Sequence, residues 1–448
     1  MNAHRVALPA IATLLLAAAP LFAQHDPRVE PADVYAITGA TIHTLAGPAI
    51  EGGTLVLRDG EIEAVGSGVE VPADARVIDA EGLHVYPGLV DAYSRLGLTE
   101  IGAVEASQDL GEITQWNPHL TSATAIHPAS AHLDVARANG ITHALVAPGE
   151  GGGLFSFAQG GEGGIPGRAA FVHLDGWTVE EMEIDDSVAM VIQWPTIRTE
   201  TFDFSTFDFE ERPYTEAKEE FDENVRALEE WFEAAAHYRQ AVDRGDPARF
   251  ERNLKLEHLA RTLGGGLPVI AVANEKRSIE SALEFAERHD LDLVIAGGDD
   301  AREVKEELAR REVPVILGPT QSLPDEEDDP YHSPMSLAGE LHEAGVTIAF
   351  GTFTSADSRT VPYEAATAVP FGLPREAALR AITVNPAAIL GVGDRLGTIE
   401  AGKIGNVIVT GGDPLEIRTP VEWVFIDGMP VDRSNRHRAL YREYRARP

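Results

Sequence analysis

The sequence contains no cysteine among its 448 residues. Disulfide bonds are therefore excluded, and so is a lipid anchor attached through an N-terminal cysteine. Positive charge is also scarce, because 36 Lys and Arg stand against 72 Asp and Glu, for a formal net charge of −36. This balance argues against nucleic acid and anionic membrane surfaces as partners, since both are polyanions.

Long hydrophobic runs are missing beyond the N-terminus, so no membrane span is predicted in the mature chain. At the N-terminus, His4 and Arg5 precede an apolar run that ends at Phe22, and Ala23 completes a small-residue cleavage site. This pattern predicts a signal peptide over residues 1–23, with a buried N-terminal helix as the alternative. We therefore expect an exported protein, either periplasmic or secreted.

Most of the remaining sequence has the alternation of helix and strand patterns that is typical of a parallel α/β fold. A length of 448 residues fits a barrel of about 250–300 residues plus a second module. Strand patterns are present at Ile141–Ala147, Pro268–Ala273, Leu291–Ala296, Val313–Leu317 and Val346–Phe350. Between Tyr35 and Ile78 the pattern changes to short alternating strands with an Asp59-Gly60 hairpin turn, which predicts a small β module.

The rest of the chain is organised around the stretch from Val85 to Leu98. It has the pattern of a buried strand that meets a Pro-Gly break and continues as the first strand of a barrel. Strict alternation along this strand would direct Asp91, Tyr93 and Arg95 to the same face. These three side chains are therefore the first candidates for a site.

The residues Pro87-Gly88-Leu89-Val90-Asp91 resemble the amidohydrolase superfamily, most closely its imidazolonepropionase-like members. In that family the first barrel strand is Pro-Gly-[Leu/Phe]-[Ile/Val]-Asp-x-His-x-His, and Asn385-Pro386-Ala387 resembles the closing motif. The resemblance implies an α/β fold: a (β/α)8 TIM-like barrel over 87–396, with a composite β-sandwich module built from 34–86 plus 397–431. Residues 432–448 form a basic tail, which we expect to dock as a helix on the acidic body, with a partner-binding arm as the alternative.

At the positions where the resemblance implies metal ligands, this chain carries other residues. The former metal positions hold Tyr93, Arg95, Val272, Asn274, Gly297 and Phe353. Tyr93 and Arg95 replace the two histidines of His-x-His, and Phe353 replaces the aspartate that binds the metal and takes the proton from water. Without these groups, neither the metal nor the general base is available. We therefore predict that the family metal, usually zinc, is absent, and we assign no catalytic residue.

Two functions compete on this evidence. The first is an exported pseudo-enzyme that serves as a binding protein, or as the partner subunit of an active relative. The second is a hydrolase of amide or cyclic amide C–N bonds through an unusual site, in which Arg95 polarises the carbonyl and Tyr93 donates a proton. Alternatively, Asp91, Tyr93 and Arg95 form a buried polar network in the vacant metal cavity. A buried Arg95 requires a counter-charge, for which Asp91 is the nearest candidate and Glu100 or Glu112 are others.

Three further features have simple interpretations. The Gly-rich segment 149–167 lacks the Gly-Lys-Ser/Thr ending of a phosphate loop, so we expect a mouth loop in which Phe155 and Phe157 form a lid. The acidic run 325–329 lacks the spacing of a calcium loop and is expected to be solvated surface. His119, His127, His132 and His143 are not spaced as metal ligands on one helix or strand.

A possible association surface is predicted on the long amphipathic helix pattern from Phe221 to Asp243. Trp231, Phe232 and Tyr238 could form an apolar patch there. We expect such a patch to join this chain to a second copy or to an active amidohydrolase relative. A small-molecule ligand is the other possible partner.

Overall fold

A computed structural model describes residues 32–112, 114–149, 161–203, 206, 208–245, 251–324 and 329–447. The predicted signal peptide lies outside the described residues. So do Phe155 and Phe157 of the mouth loop and most of the acidic run 325–329.

The strands in chain order are β1 (Val34–Ile42), β2 (Ile50–Arg58), β3 (Glu61–Gly66), β4 (Arg76–Asp79), β5 (His84–Pro87), β6 (Leu89–Ser94), β7 (Ile141–Val146), β8 (Gly164–His173), β9 (Glu183–Gln193), β10 (Glu200–Asp203), β11 (Asp208–Glu211), β12 (Val269–Ala273), β13 (Leu293–Gly297), β14 (Val315–Leu317), β15 (Ile348–Phe350), β16 (Val407–Thr410), β17 (Val421–Ile426) and β18 (Met429–Pro430). The α-helices are α1 (Ala131–Arg137), α2 (Val179–Met182), α3 (Tyr214–Asp243), α4 (Leu254–Leu259), α5 (Lys276–His289), α6 (Lys305–Arg310), α7 (Ser333–Glu343), α8 (Val361–Ala368), α9 (Arg375–Arg380), α10 (Val384–Ile389) and α11 (Arg436–Arg445).

One sheet joins strands from both ends of the described chain. Its order is β18-β17-β16-β5-β1-β2-β3, with β4 paired to β1, and β16 runs antiparallel to β5. Asp59 and Gly60 connect β2 to β3 with φ values of 51° and 84°, as expected of a two-residue hairpin turn. Tyr35 and Phe425, which come from opposite ends of the sequence, pack edge to face in its core. The predicted composite β module is confirmed.

The second sheet forms the barrel, in the order β6-β7-β8-β9-β12-β13-β14-β15. The amide of Phe353, just after β15, donates to the Tyr93 carbonyl of β6 at 2.8 Å and so brings the last strand to the first. The predicted TIM-like barrel is therefore confirmed. One strand departs from the all-parallel pattern, because β8 is antiparallel to both β7 and β9. A strand that returns in this way needs no crossover helix on the outside of the barrel.

Alternate strand residues fill the barrel interior with apolar side chains. One cluster of contacting side chains in the interior includes Leu145, Phe171, Val191, Ile270, Val294, Ile316 and Ala349. The opposite faces of the same strands pack against the surrounding helices in a separate, larger cluster. The interior is thus a packed core, and polar side chains gather where the strands end.

The predicted apolar patch on α3 is wrong. Phe232 is 0% exposed and packs edge to face on Phe285 of α5, with the ring centroids 5.0 Å apart. Trp231 is half-buried and stacks on Trp116 at 5.7 Å. These rings face the barrel because a 30-residue amphipathic helix buries its apolar stripe against the nearest core, which here belongs to the same chain.

The C-terminal helix α11 forms within the predicted basic tail, but none of its residues is buried. Its contacts with the body include α1. Tyr441 and Tyr444 are 63% and 56% exposed. Among the described residues, no helix combines the length and the apolar character needed to cross a membrane.

Candidate functional site

A bulge in β6 determines where the first candidate residues point. Asp91 pairs with Ala144 and Ser94 pairs with Val146, so three steps along β6 match two steps along β7. A bulge of one residue reverses the alternation of side chains beyond it. The expectation that Asp91 and Tyr93 share a face is therefore wrong. Tyr93 joins the barrel interior, whereas the Asp91 carboxylate turns to the segment after β15.

Asp91 is fully buried and hydrogen-bonded. Its Oδ1 accepts from the Thr352 amide at 3.0 Å and from the Tyr93 amide at 3.3 Å, and its Oδ2 accepts from the Thr352 hydroxyl at 2.6 Å. Burial raises the pKa of Asp91 to about 7, although the bonds from Thr352 act in the opposite direction. Asp91 thus ties the first barrel strand to the last and does not pair with Arg95. The prediction that it is the counter-ion of Arg95 is wrong.

Tyr93 and Phe353 form an aromatic stack inside the barrel. Their ring centroids lie 4.4 Å apart at an interplanar angle of 22°, and Tyr93 is 0% exposed. Phe353 adopts a φ of +58°, a conformation that few residues other than glycine adopt without strain. Burial raises the pKa of Tyr93, while the charge of Arg95 and the nearby Gln193 amide lower it.

Arg95 lies at the end of β6 and is half-buried. Its Nη1 donates to the Ala147 carbonyl at 3.2 Å, and its guanidinium carbon lies 5.8 Å from the centre of the Tyr93 ring. The guanidinium packs so closely on Gly149 that a Cβ at this position would overlap it. A side chain at position 149 would therefore displace the flexible end of Arg95.

A cavity of about 290 Å³ lies between the ends of β12, β13 and β14 and the start of α7. Four of the six former metal positions line it, namely Val272, Asn274, Gly297 and Phe353. The Asn274 Oδ1 accepts from the Gly298 amide at 3.1 Å. It also fills the space that a Cβ at Gly297 would need, and Gly297 has a φ of +91°. Tyr93 and Arg95 do not line this cavity in the described part of the chain.

The residues at these positions do not fit a divalent metal. Phe353 and Val272 have no donor atom, Gly297 has no side chain, and Arg95 is itself a cation. Asn274 could offer one amide oxygen, but that oxygen already accepts a backbone hydrogen bond. In the described ranges there is no group of three His, Asp or Glu side chains arranged to hold a metal.

A second polar cluster lies between the barrel and the β module, and no sequence pattern indicated it. The Asn406 Nδ2 lies 2.9 Å from His173 Nδ1 and also contacts His143 Nε2. Burial lowers the pKa of His173 to about 4. The pKa of His143 is held well below its usual range, mainly by burial and to a smaller extent by the charge of His173. His143 is thus the one histidine of the predicted set of four that enters a buried pair. Its partner ends β8, a strand that the sequence did not predict.

Comparisons with known proteins agree with this architecture. The model of the amidohydrolase family matches residues 300–431. The amidohydrolase tasK of Hapsidospora irregularis is 27% identical over 382 residues; the match covers 80% of this chain and 37% of that protein. The imidazolonepropionase of Symbiobacterium thermophilum is 25% identical over 441 residues, which is 88% of this chain and 93% of that enzyme. An amidohydrolase structure from Thermotoga maritima has a TM-score of 0.74 at 26% identity and covers 89% of this chain and 99% of its own.

The fold, the family match and these relatives define the class of protein. In sequence and in fold, the chain resembles the amidohydrolase superfamily. Within the superfamily it resembles imidazolonepropionase, as the Pro87-Gly88 strand indicated. Because this chain spans only 37% of the length of tasK, the activity of that whole protein cannot be read directly onto it.

Proposed function

We propose that this chain is an exported member of the amidohydrolase superfamily that no longer performs metal-dependent hydrolysis and acts as a binding protein or as the partner subunit of an active relative. The observation that carries the proposal is the stack of Tyr93 on Phe353 at 4.4 Å. Two aromatic rings stand where the family resemblance implies a metal-binding imidazole and a carboxylate.

The missing carboxylate matters because metal-assisted hydrolysis needs a group that accepts the proton of the attacking water. Phe353 cannot accept a proton. Asp91 has a raised pKa of about 7, but both of its oxygens accept hydrogen bonds from the backbone or from Thr352. It is therefore occupied in joining the ends of the barrel.

The cavity beside the stack supports a binding role. At about 290 Å³ it suits a small molecule, and its wall combines the apolar side chains Val272, Leu337 and Phe353 with polar groups. The polar residues that line it include Asn274, Asp300 and Arg302. Export is supported by the pattern of residues 1–23, in which a basic start precedes an apolar run and a small-residue cleavage site.

The second candidate is a hydrolase of amide or cyclic amide bonds that uses Arg95 in place of the metal. The names of the relatives favour it, since one is an amidohydrolase and another an imidazolonepropionase. A guanidinium can polarise a carbonyl, and the buried Tyr93 hydroxyl keeps its proton at neutral pH because burial raises its pKa. In this candidate, none of the former metal positions supplies the base for the attacking water.

The test is hydrolysis by the purified chain with and without added Zn²⁺, Mn²⁺ or Co²⁺, on a panel of cyclic amides and N-acyl amino acids. A relative that retains His-x-His is the positive control. We expect no turnover above the uncatalysed rate in any metal. Turnover that depends on added metal would contradict the proposal, and metal-independent turnover that is lost in Arg95→Gln would favour the second candidate.

A further inference from the structure

Helix α11 carries a basic face that is open to solvent. Four of its residues are spaced by three, four and seven positions and therefore lie on one side of the helix: Arg438, Tyr441, Arg442 and Arg445. All four are exposed. In the described part of the chain, no carboxylate forms an ion pair with Arg438 or Arg445. This face is suited to an acidic surface.

The charge of the whole chain limits which acidic surface that is. Nucleic acids and anionic membranes would bring an extended negative surface against a body whose net charge is −36. A single helix of another protein molecule brings only a narrow acidic stripe to α11. Repulsion between the two bodies is screened over about 10 Å at 0.1 M salt, so a local match of charges can decide the contact.

Such a stripe lies on the outer side of α3. Glu219, Glu223, Glu230 and Glu233 are exposed there, opposite the side that packs on the barrel, and Arg226 is the basic residue among them. Among the described residues, no lysine, arginine or histidine forms an ion pair with these four carboxylates. Within one chain α11 contacts α1, whereas α3 contacts α4.

The charges on the two helices have the same spacing. Arg438 and Arg445 are seven residues apart, and so are Glu223 and Glu230. Seven helical residues span about 10.5 Å, or nearly two turns, so both members of each pair lie on one side of their helix. Two helices that lie side by side can therefore pair both arginines with both glutamates.

We propose that two copies of this chain associate through α11 of one copy and the outer face of α3 of the other. In a dimer with twofold symmetry, each α11 meets the α3 of the other copy, so the contact forms twice. Exposed ion pairs are individually weak, and the dimer is therefore sensitive to salt. The association goes beyond the proposed function and holds whether or not metal-dependent hydrolysis is retained.

The test is sedimentation equilibrium of the purified full chain in about 0.05 M and about 0.5 M sodium chloride. We expect a monomer–dimer equilibrium whose association constant falls at least about tenfold at the higher salt concentration. A chain that stays monomeric at the lower salt concentration, at up to about 0.1 mM protein, would overturn the proposal. A dimer that does not respond to salt would overturn it as well.

Charge reversal identifies the two helices. Arg438→Glu with Arg445→Glu should abolish the dimer, and so should Glu223→Lys with Glu230→Lys. An equimolar mixture of these two double variants should dimerise again, because one contact then joins an acidic α11 to a basic α3 and the other contact is the natural one. A mixture that remains monomeric would contradict the pairing of α11 with α3.

The matched control is Arg310→Glu with Arg418→Glu. These side chains are 65% and 90% exposed on other parts of the surface, and the double variant makes the same change in net charge as the reversal on α11. We expect it to dimerise like the natural chain, and loss of its dimer would attribute the effect to net charge alone. Binding of a monomeric natural chain to phosphatidylglycerol vesicles would assign the basic face of α11 to a lipid surface and overturn the proposal.

Discussion

Acidification should weaken the contact between the barrel and the β module, because His173 in that contact becomes protonated. The Asn406 amide donates to the rings of His143 and His173, so the ring nitrogens that face it must carry lone pairs. Protonation of these nitrogens would turn two acceptors into donors that face another donor. Burial is the main reason why the pKa of His173 is lowered to about 4, and the charge of Arg395 adds to the effect.

The sign and size of the effect follow from linkage. Because the pKa is lower in the folded chain than in the unfolded chain, the unfolded chain binds more protons as the pH falls below 6.5. The stabilising contribution is therefore complete above this value and is lost as the pH falls toward 4. The loss is about 2 kcal/mol at about pH 5 and about 3 kcal/mol at about pH 4.

The perturbation is His173→Gln, which keeps an acceptor for Asn406 and removes the titrating ring. We expect the free energy of unfolding, measured with urea and tryptophan fluorescence, to fall about 2 kcal/mol less in this variant than in the natural chain between about pH 7.5 and pH 5. The control is His342→Gln, because His342 is exposed on α7 and should not change the pH dependence. An equal pH dependence in His173→Gln and in the natural chain would refute the reasoning.

Three other predictions concern the barrel. Between about pH 5 and pH 8, the free energy of unfolding of Asp91→Asn should rise by about 2–3 kcal/mol relative to that of the natural chain, in the same urea assay. The reason is that the pKa of Asp91 is raised to about 7, so the stabilising contribution of its carboxyl group is lost as the pH rises through that value. Phe353→Ala should destabilise the chain by about 2 kcal/mol through loss of the stack on Tyr93, seen as a lower melting temperature. Gly297→Ala should cost about 3 kcal/mol in the urea assay, because the new Cβ overlaps Asn274 and the residue has a positive φ; a melting temperature unchanged from that of the natural chain would contradict this.

The fold could be predicted in detail because its signals are local. The strands of the β module and most strands of the barrel have the expected periodicities, and the Pro87-Gly88 motif identified the family. The antiparallel strand β8 was missed, since residues 164–173 follow a Gly-rich segment that obscured any strand pattern. Without β8, His173 could not be assigned to a site.

The candidate site was harder to predict because it depends on register and on long-range contacts. Strict alternation placed Asp91 with Tyr93, and the bulge in β6 separates them. The partner of Asp91 is Thr352, which lies 261 residues away, so no local pattern indicates it. The aromatic residues of α3 have the periodicity of a buried face, but periodicity alone does not tell whether that face packs within the chain or against a partner.

The central claim is that this amidohydrolase barrel does not bind the metal of its family, and metal affinity tests it most directly. The measurement is a titration of the purified, chelator-treated chain with Zn²⁺ against a fluorescent zinc indicator, with elemental analysis of the protein as first isolated. Since Arg95, Gly297 and Phe353 offer no donor atom to a metal and burial raises the pKa of the Tyr93 hydroxyl, we predict zinc binding well below one equivalent and no enrichment of a transition metal in the isolated protein. One equivalent of tightly bound zinc, or of another transition metal, would contradict the account.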